Sequence, residues 1–174
     1  TFFLSSLTLW VWLPWGLAVI SAPWYSEAKR LYHPEVPLGI GFGPCAVWLG
    51  MATSGEIAWV QGLLVSLPLF LIFGVVAEHA DQNLDAKANY PKGGRSLGIL
   101  AAHHEIDLRQ SLSLLLLLTF LVQGFLVFYG VLGYWTALTL VSLVFFALFI
   151  VLYKRSQDKA VMLGLLGVIT YAAL

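Results

Sequence analysis

The feature that most constrains this chain is a series of apolar runs, each close to the length of a membrane-spanning helix. A helix that rises 1.5 Å per residue needs about 20 apolar residues to cross the hydrocarbon core of a bilayer. Six runs reach or approach that length: 2–22, 36–53, 57–77, 111–131, 134–153 and 160–174. Composition agrees, since 60% of the residues are hydrophobic and only 10% are charged, against about 25% in a typical soluble domain. The sequence therefore predicts an all-α, polytopic membrane helix bundle with about six transmembrane helices.

The connections between these runs alternate between long charged segments and short neutral ones. The long connections are 23–35, 78–110 and 154–159, and the short ones are 54–56 and 132–133. With six crossings, the long connections all lie on one side of the membrane, and they contain every Lys and Arg of the chain. The positive-inside rule predicts that this side faces the cytoplasm, as it would in a bacterial inner membrane or a plasma membrane. The formal net charge is zero, so we expect no nucleic-acid partner.

Glycines and prolines inside the runs predict close packing and kinks rather than breaks. Prolines within or near the helix starts are Pro14, Pro44 and Pro68. In a bundle, neighbouring helices can satisfy the carbonyls that a proline frees, so these helices should bend and continue. The second run also contains three alternate glycines, Gly39, Gly41 and Gly43. No strand precedes them, so we interpret them as small residues that let helices approach closely.

Three carboxylates follow the third apolar run at helical spacing. Glu78, Asp81 and Asp85 stand at i, i+3 and i+7, which places them on one face of a helix. Like charges at this spacing repel one another, and an arrangement that only stabilised a helix would gain nothing from them. A divalent cation resolves the repulsion, and Mg²⁺ commonly binds one or two carboxylates together with substrate phosphates. The spacing therefore indicates a Mg²⁺ site, and an ordinary solvated helix end is the alternative.

A basic loop with paired glycines comes directly after the acidic residues. It contains Lys87 and then Lys92, Gly93, Gly94 and Arg95. Flexible glycines flanked by Lys and Arg can wrap an anionic group, and Arg can contact phosphate oxygens through two parallel hydrogen bonds. The acidic helix end and the basic loop together predict a site for a metal-bound phosphate, although a cytoplasmic loop that follows the positive-inside rule would also be basic.

The order of these motifs resembles that of the UbiA-type intramembrane prenyltransferases, in particular the menaquinone-pathway branch. The segment Asp81–Asp85 followed by Lys92–Gly98 is similar to the second aspartate motif of that family. Tyr25–Arg30 resembles the family's Y-P-x-x-K-R element, with Ser26 in place of the proline. The match extends over essentially the whole chain, and the six predicted helices would correspond to the fourth to ninth of a nine-helix fold.

The resemblance implies roles for particular side chains. Asp81 and Asp85 would be Mg²⁺ ligands, with Glu78 as a third, and the diphosphate would be bound by a further set of residues, Lys92, Arg95, Lys29, Arg30 and Tyr25. The implied reaction is transfer of a polyprenyl group from its diphosphate to an aromatic or quinone-precursor acceptor. The implied partners are a polyprenyl diphosphate, a hydrophobic acceptor and membrane lipid.

The family's first aspartate motif does not occur in these residues. We therefore expect residues 1–174 to be a single membrane domain that forms the C-terminal portion of a longer chain. If the chain is complete, the resemblance favours another role, that of a non-catalytic subunit in a larger pigment- or quinone-binding membrane complex with other membrane subunits. Of the two roles, the sequence favours the enzyme, because the residues similar to the second aspartate motif and the basic glycine loop are both present.

A second group of polar residues, His103, His104, Glu105 and Asp107, lies further along the same connection. On a continuous helix His103 and Asp107 would share one face at i, i+4, which could form a metal or chlorin ligand pair. The surrounding segment 96–109 also contains several large apolar residues, which is typical of an amphipathic stretch at the membrane interface. We therefore expect both histidines to be solvated at the surface.

Overall fold

The computed structural model describes residues 11–53, 58–134 and 136, together with the single positions 145, 148 and 166. Over this part the chain is helical and contains no strand, as the apolar runs predict. Three helices are long and apolar enough to span a membrane, at Glu35–Ala52, Trp59–Asn83 and Leu108–Phe128. They coincide with three of the six predicted spans. Of the others, 134–153 and 160–174 lie almost wholly outside the described residues, and 2–22 is described only from residue 11.

Helix α1, Trp12–Leu31, continues well past the end of the first apolar run. Pro14 lies in its first turn, where the missing N–H would have had no helical partner. Glu27, Ala28 and Lys29 are good helix formers, so the helix extends into the polar connection. This extension places Tyr25 and Lys29 on a rigid element beyond the apolar region.

Helices α2 and α3 each contain a wide π-helical segment at or just after a proline. Helix α2 consists of Glu35–Ile40, the π segment Gly41–Cys45 that holds Pro44, and Ala46–Thr53. Helix α3 consists of Trp59–Leu69, which holds Pro68, the π segment Phe70–Ala77, and Glu78–Leu84. A wide turn accommodates the proline ring and the lost hydrogen bond, so both helices continue through their prolines as predicted.

Glycines bring α2 and α3 into close contact. A Cβ atom added to Gly74 of α3 would lie 2.5 Å from the Cα of Gly39 and 2.7 Å from the carbonyl oxygen of Glu35. On α2, a Cβ at Gly43 would lie 3.2 Å from the Cα of Phe70, and one at Gly41 would lie 2.8 Å from Ser21 Oγ of α1. The predicted packing role of the alternate glycines is confirmed: Gly39 and Gly43 face α3, whereas Gly41 faces α1.

Short elements and one long helix follow α3. Helix α4, Ala86–Asn89, leads into a 3₁₀ turn at Tyr90–Lys92, helix α5 at Leu97–His103 and helix α6 at Leu108–Phe128. Helix α6 lies three residues earlier than the apolar run 111–131. It begins early because Asp107 Oδ1 accepts a hydrogen bond from the N–H of Arg109 at 3.0 Å. It ends early because Gly130 adopts a left-handed conformation at φ 70°.

Helix α3 is the central element, since its apolar side packs against α6 and its glycines pack against α2. The core between α3 and α6 consists of Ile72, Val76, Leu108, Leu112 and Leu116. The opposite face of α6 exposes large apolar side chains, namely Leu114, Leu117, Leu118, Leu121, Phe125 and Phe128. A helix that is apolar on its outward face as well as its inward one suits a lipid environment.

Candidate functional site

The candidate site lies at the end of α3, where the chain leaves the apolar region. Glu78 is buried, with 3% of its surface exposed. Its Oε2 atom accepts a hydrogen bond from the Tyr25 hydroxyl of α1 at 3.0 Å, and its Oε1 atom accepts one from Gln82 Nε2 at 2.8 Å. A buried carboxylate requires such donors because burial removes its hydration. Glu78 is thereby held in one orientation by two neighbours.

Asp81 pairs with Lys29, a second predicted site residue of α1. Lys29 Nζ lies 2.9 Å from Asp81 Oδ2, and the two side chains are 37% and 50% exposed. The hydrogen bond to Asp81 raises the pKa of Lys29 above its ordinary value, so the lysine remains charged at any physiological pH. At this degree of exposure the pair contributes little to folding, but it places a cation and an anion side by side at the helix end.

The two contacts follow from matched spacing on two helices. Tyr25 and Lys29 are four residues apart on α1, and Glu78 and Asp81 are three apart on α3, so each pair lies on one helical face. Burial, followed by the adjacent carboxylate of Glu78, raises the pKa of Tyr25 to about 12. The phenol therefore stays protonated and donates to Glu78. The structure brings together four of the eight predicted site residues in this way.

The three carboxylates do not converge as the helical spacing predicts. Asp85 lies just past the last residue of α3 and is exposed, whereas Glu78 is buried and Asp81 is half exposed. Within the described ranges, no group of three or more His, Cys, Asp or Glu side chains is placed to hold one metal ion. The physical reason is that Tyr25 and Gln82 draw Glu78 inward, while Lys29 holds Asp81 at the surface. Asp81 and Asp85 remain as accessible carboxylates of the kind that bind Mg²⁺ beside a phosphate.

The basic glycine loop is a tight, ordered turn. Gly93 has a φ of 93°, and its N–H bonds to the carbonyl of Tyr90 at 3.0 Å, which reverses the chain after the 3₁₀ turn. Arg95 folds back onto this turn, with Nη1 2.8 Å from the carbonyl oxygen of Gly94 and its guanidinium 4.6 Å from the centre of the Tyr90 ring. Lys92 is exposed. Arg95 thus supports its own loop, and Lys92 projects from it.

Arg30 is another of the predicted diphosphate-binding residues. It lies in the last turn of α1, one residue after Lys29, and its side chain is outside the described part of the structure.

The expectation that His103 and Asp107 share a helical face is wrong. Helix α5 ends at His103, and Glu105 then adopts a left-handed conformation at φ 57°. His103 instead stacks on Tyr90, with ring centres 3.9 Å apart, and its Nε2 lies 2.9 Å from the Tyr90 hydroxyl oxygen. Both histidines are exposed, as expected.

Helix α5 lies directly on the acidic end of α3. A Cβ atom added to Gly98 would lie 2.8 Å from the backbone nitrogen of Asn83, so only glycine permits this approach. Asn83 Nδ2 also donates a hydrogen bond to the carbonyl of Gly98 at 3.1 Å. The sequence predicts the acidic segment and the loop separately, and the structure joins them through this contact.

Two features of the site were not anticipated from the sequence. Gln82 holds Glu78, and its spacing of four residues on a helix was the signal that could have revealed it. A cavity of about 450 Å³ lies between α1 and α2, lined mainly by small and apolar residues, and Tyr25, which bonds to Glu78, lies at its wall. Such a cavity forms from packing between distant segments, and no local pattern encodes it.

No protein-family model, no curated protein and no solved structure matches the chain. The evidence for function is therefore the chemistry of the acidic end of α3, the basic glycine loop and the apolar helices around them.

Proposed function

We propose that this chain forms part of an integral-membrane prenyltransferase, which moves a polyprenyl group from its diphosphate to an aromatic or quinone-precursor acceptor. The observation that carries the proposal is the pairing of Tyr25 and Lys29 with Glu78 and Asp81 at the end of an apolar helix. This arrangement places hydrogen-bond donors, a fixed cation and carboxylates next to a hydrophobic environment. A lipid diphosphate has the same two parts, a charged head and an apolar chain.

Asp81 and Asp85 are proposed as the protein ligands of Mg²⁺, because both are accessible and carboxylates commonly bind this ion beside phosphates. When bound, Mg²⁺ would neutralise the charge that develops on the departing diphosphate. Glu78 accepts hydrogen bonds at both oxygens, so we assign it to orienting Tyr25 and Gln82 rather than to the metal.

The basic residues would bind the diphosphate before and during bond cleavage. Lys29, the next residue Arg30, and Lys92 would supply positive charge. Arg95 holds the loop that carries Lys92. In the reaction the prenyl carbon–oxygen bond breaks and both of its electrons leave with the diphosphate. A bond then forms from the acceptor to the prenyl carbon, and the acceptor loses a proton. Apolar helices around the chain would exclude the water that otherwise captures the allylic cation.

The same proposal includes the membrane arrangement. Six spans, with the acidic cluster and the basic loop on the cytoplasmic side, would place the charged site at the membrane boundary and the prenyl chain among the helices.

The direct test is turnover by the full natural chain reconstituted in lipid nanodiscs. Farnesyl diphosphate serves as donor, hydroxylated benzoate and naphthoate as acceptors, and release of diphosphate with and without Mg²⁺ is measured. We expect Asp81→Ala and Asp85→Ala each to lower kcat/KM by about a hundredfold or more. Glu27→Ala, which removes an exposed acid from α1, is the matched control and should retain activity. Mg²⁺-independent turnover, or full activity in both aspartate variants, would contradict the proposal.

A non-catalytic, quinone- or pigment-binding subunit is the second candidate. The observation that favours it is that Lys29 and Asp81 neutralise each other and Arg95 is bound within its own loop. For this candidate, the reconstituted protein would bind a quinone without releasing diphosphate, and Asp81→Ala would leave quinone affinity unchanged.

A further inference from the structure

Glu35, the first residue of α2, is a buried acid that the predicted site did not include. Only 3% of its surface is exposed. Its Oε1 atom accepts a hydrogen bond from the backbone N–H of Leu97 at 2.6 Å, across 62 positions of sequence. Leu97 begins α5, and the N–H groups of a first helical turn have no partner within their own helix. Glu35 therefore supplies a partner from a different part of the chain.

The neighbouring bonds show what this contact holds in place. Ser96 Oγ accepts a hydrogen bond from the N–H of Ile99 at 3.2 Å and caps α5 locally. Gly98 rests on the backbone of α3 beside Asn83. Glu35 adds a third attachment, from α2, at the residue where the basic glycine loop ends.

Glu35 is itself held in place by close helix packing. It starts α2, and its carbonyl oxygen lies against Gly74 at the closest contact between α2 and α3. The bond to Leu97 thus ties the end of the loop to the closely packed pair of helices α2 and α3. A loop anchored in this way has less freedom to move away from the acidic end of α3.

We propose that Glu35 is a positioning residue that holds the basic glycine loop against the acidic segment and so sets its affinity for a diphosphate. The inference rests on the proposed function. It concerns the loop's ground-state contacts with the diphosphate, so Glu35 should affect KM more than kcat. Glu35 acts through its bond to the backbone of Leu97 and is not proposed to contact the substrate or the metal.

The experiment compares Glu35→Leu, which removes the acceptor, with Glu35→Gln, which retains an oxygen at the same reach. Backbone hydrogen exchange at 97–100 and steady-state kinetics with farnesyl diphosphate are measured on the full chain in nanodiscs. Glu35→Leu should speed exchange at these amides and raise KM about tenfold, as expected for loss of a hydrogen bond to a charged acceptor. Glu35→Gln should remain close to the wild type, as should the exposed control Glu27→Leu.

Should Glu35→Leu fail to fold, Glu35→Asp keeps the charge but shortens the side chain by one methylene, and it should raise KM and exchange by an intermediate amount. Three outcomes would overturn the role of Glu35 and leave the proposed function standing. They are unchanged hydrogen exchange in Glu35→Leu, an unchanged KM in an active Glu35→Leu variant, and equal increases of KM in Glu35→Gln and Glu35→Leu. No turnover by the wild type would overturn the proposed function and the role of Glu35 in substrate binding with it.

Discussion

At the scale of single residues, Tyr25 and Lys29 connect the predicted motifs to one another. They lie on α1, whereas their partners Glu78 and Asp81 lie on α3. Each contact has a different character: the Tyr25 hydroxyl donates to a buried carboxylate, and Lys29 pairs with a half-exposed one. The buried bond should therefore respond to pH and substitution more strongly than the exposed pair.

We predict that Tyr25 ionises at high pH, with a pKa near 12 rather than the ordinary value of about 10. Because the folded-state pKa is raised, its contribution to stability is complete below about pH 10 and is lost as the pH rises towards 12. The check is the tyrosinate absorbance of the wild type minus that of Tyr25→Phe, followed through alkaline pH. A difference curve centred near pH 10 would contradict the burial of Tyr25 against the Glu78 carboxylate.

We predict that Lys29→Met separates substrate binding from folding. The ion pair with Asp81 is exposed enough that its loss should cost less than about 1 kcal/mol of unfolding free energy. Loss of a cation beside the proposed diphosphate site should raise KM for the prenyl diphosphate by about tenfold. Thermal unfolding in detergent and steady-state kinetics give the two values, and Glu27→Ala controls for a charge change on the same helix. A large loss of stability with unchanged KM would assign Lys29 a structural role only.

At the scale of elements, the glycines of α2 and α3 determine how closely these helices approach. We predict that Gly74→Ala destabilises the protein by about 1–3 kcal/mol, because the added methyl group meets backbone atoms of Gly39 and Glu35 that cannot move aside. Gly16→Ala on α1 is the matched control, since an added Cβ there meets no described atom within 4 Å. The control should be neutral or slightly stabilising. Denaturant titration in mixed micelles measures both, and equal effects would contradict the close crossing.

Two helix ends of the described structure use the same left-handed closure with different residues. Two residues past the end of α5, Glu105 has a φ of 57°, and two residues past the end of α6, Gly130 has a φ of 70°. In both, the next N–H bonds back to a carbonyl five residues earlier: Ile106 to Ala101 at 2.9 Å and Val131 to Leu126 at 2.8 Å. We predict that Glu105→Gly stabilises the protein and Gly130→Ala destabilises it, each by about 1 kcal/mol. Thermal unfolding checks both, and a stabilising Gly130→Ala would show that this turn does not persist.

At the scale of the whole molecule, the proposed topology can be tested by chemical labelling. Cys45 is the only cysteine and is fully buried, so Cys45→Ala supplies a background for single introduced cysteines. Lys92→Cys and Gly133→Cys place thiols at exposed positions in the two connections that flank α6 along the chain. We expect a membrane-impermeant maleimide to label the first only in inside-out vesicles and the second only in right-side-out vesicles. Labelling of both from one side would contradict the predicted topology.

The sequence by itself determined the class of structure and the chemical types at the site. Apolar runs near 20 residues predict spanning helices because a bilayer offers the backbone no other hydrogen-bond partners, and the described structure contains three of the six. That Glu78 and Asp81 stand on the end of α3, and that glycines of α2 face a neighbouring helix, could likewise be predicted, since the period of the helix is local information. The turn at Gly93 and Gly94 could also be predicted, because the preference of glycine for turns is a local property of the sequence.

Only the tertiary structure decided which side chains meet. Glu78 turns inward, and Asp81 stays at the surface, because of Tyr25 and Lys29 on α1, more than fifty positions earlier. Glu35 reaches Leu97 through the docking of α5, and the break at Glu105 separates His103 from Asp107. These contacts depend on how helices distant in sequence pack, and helical periodicity alone carries no information about the partner across a helix interface.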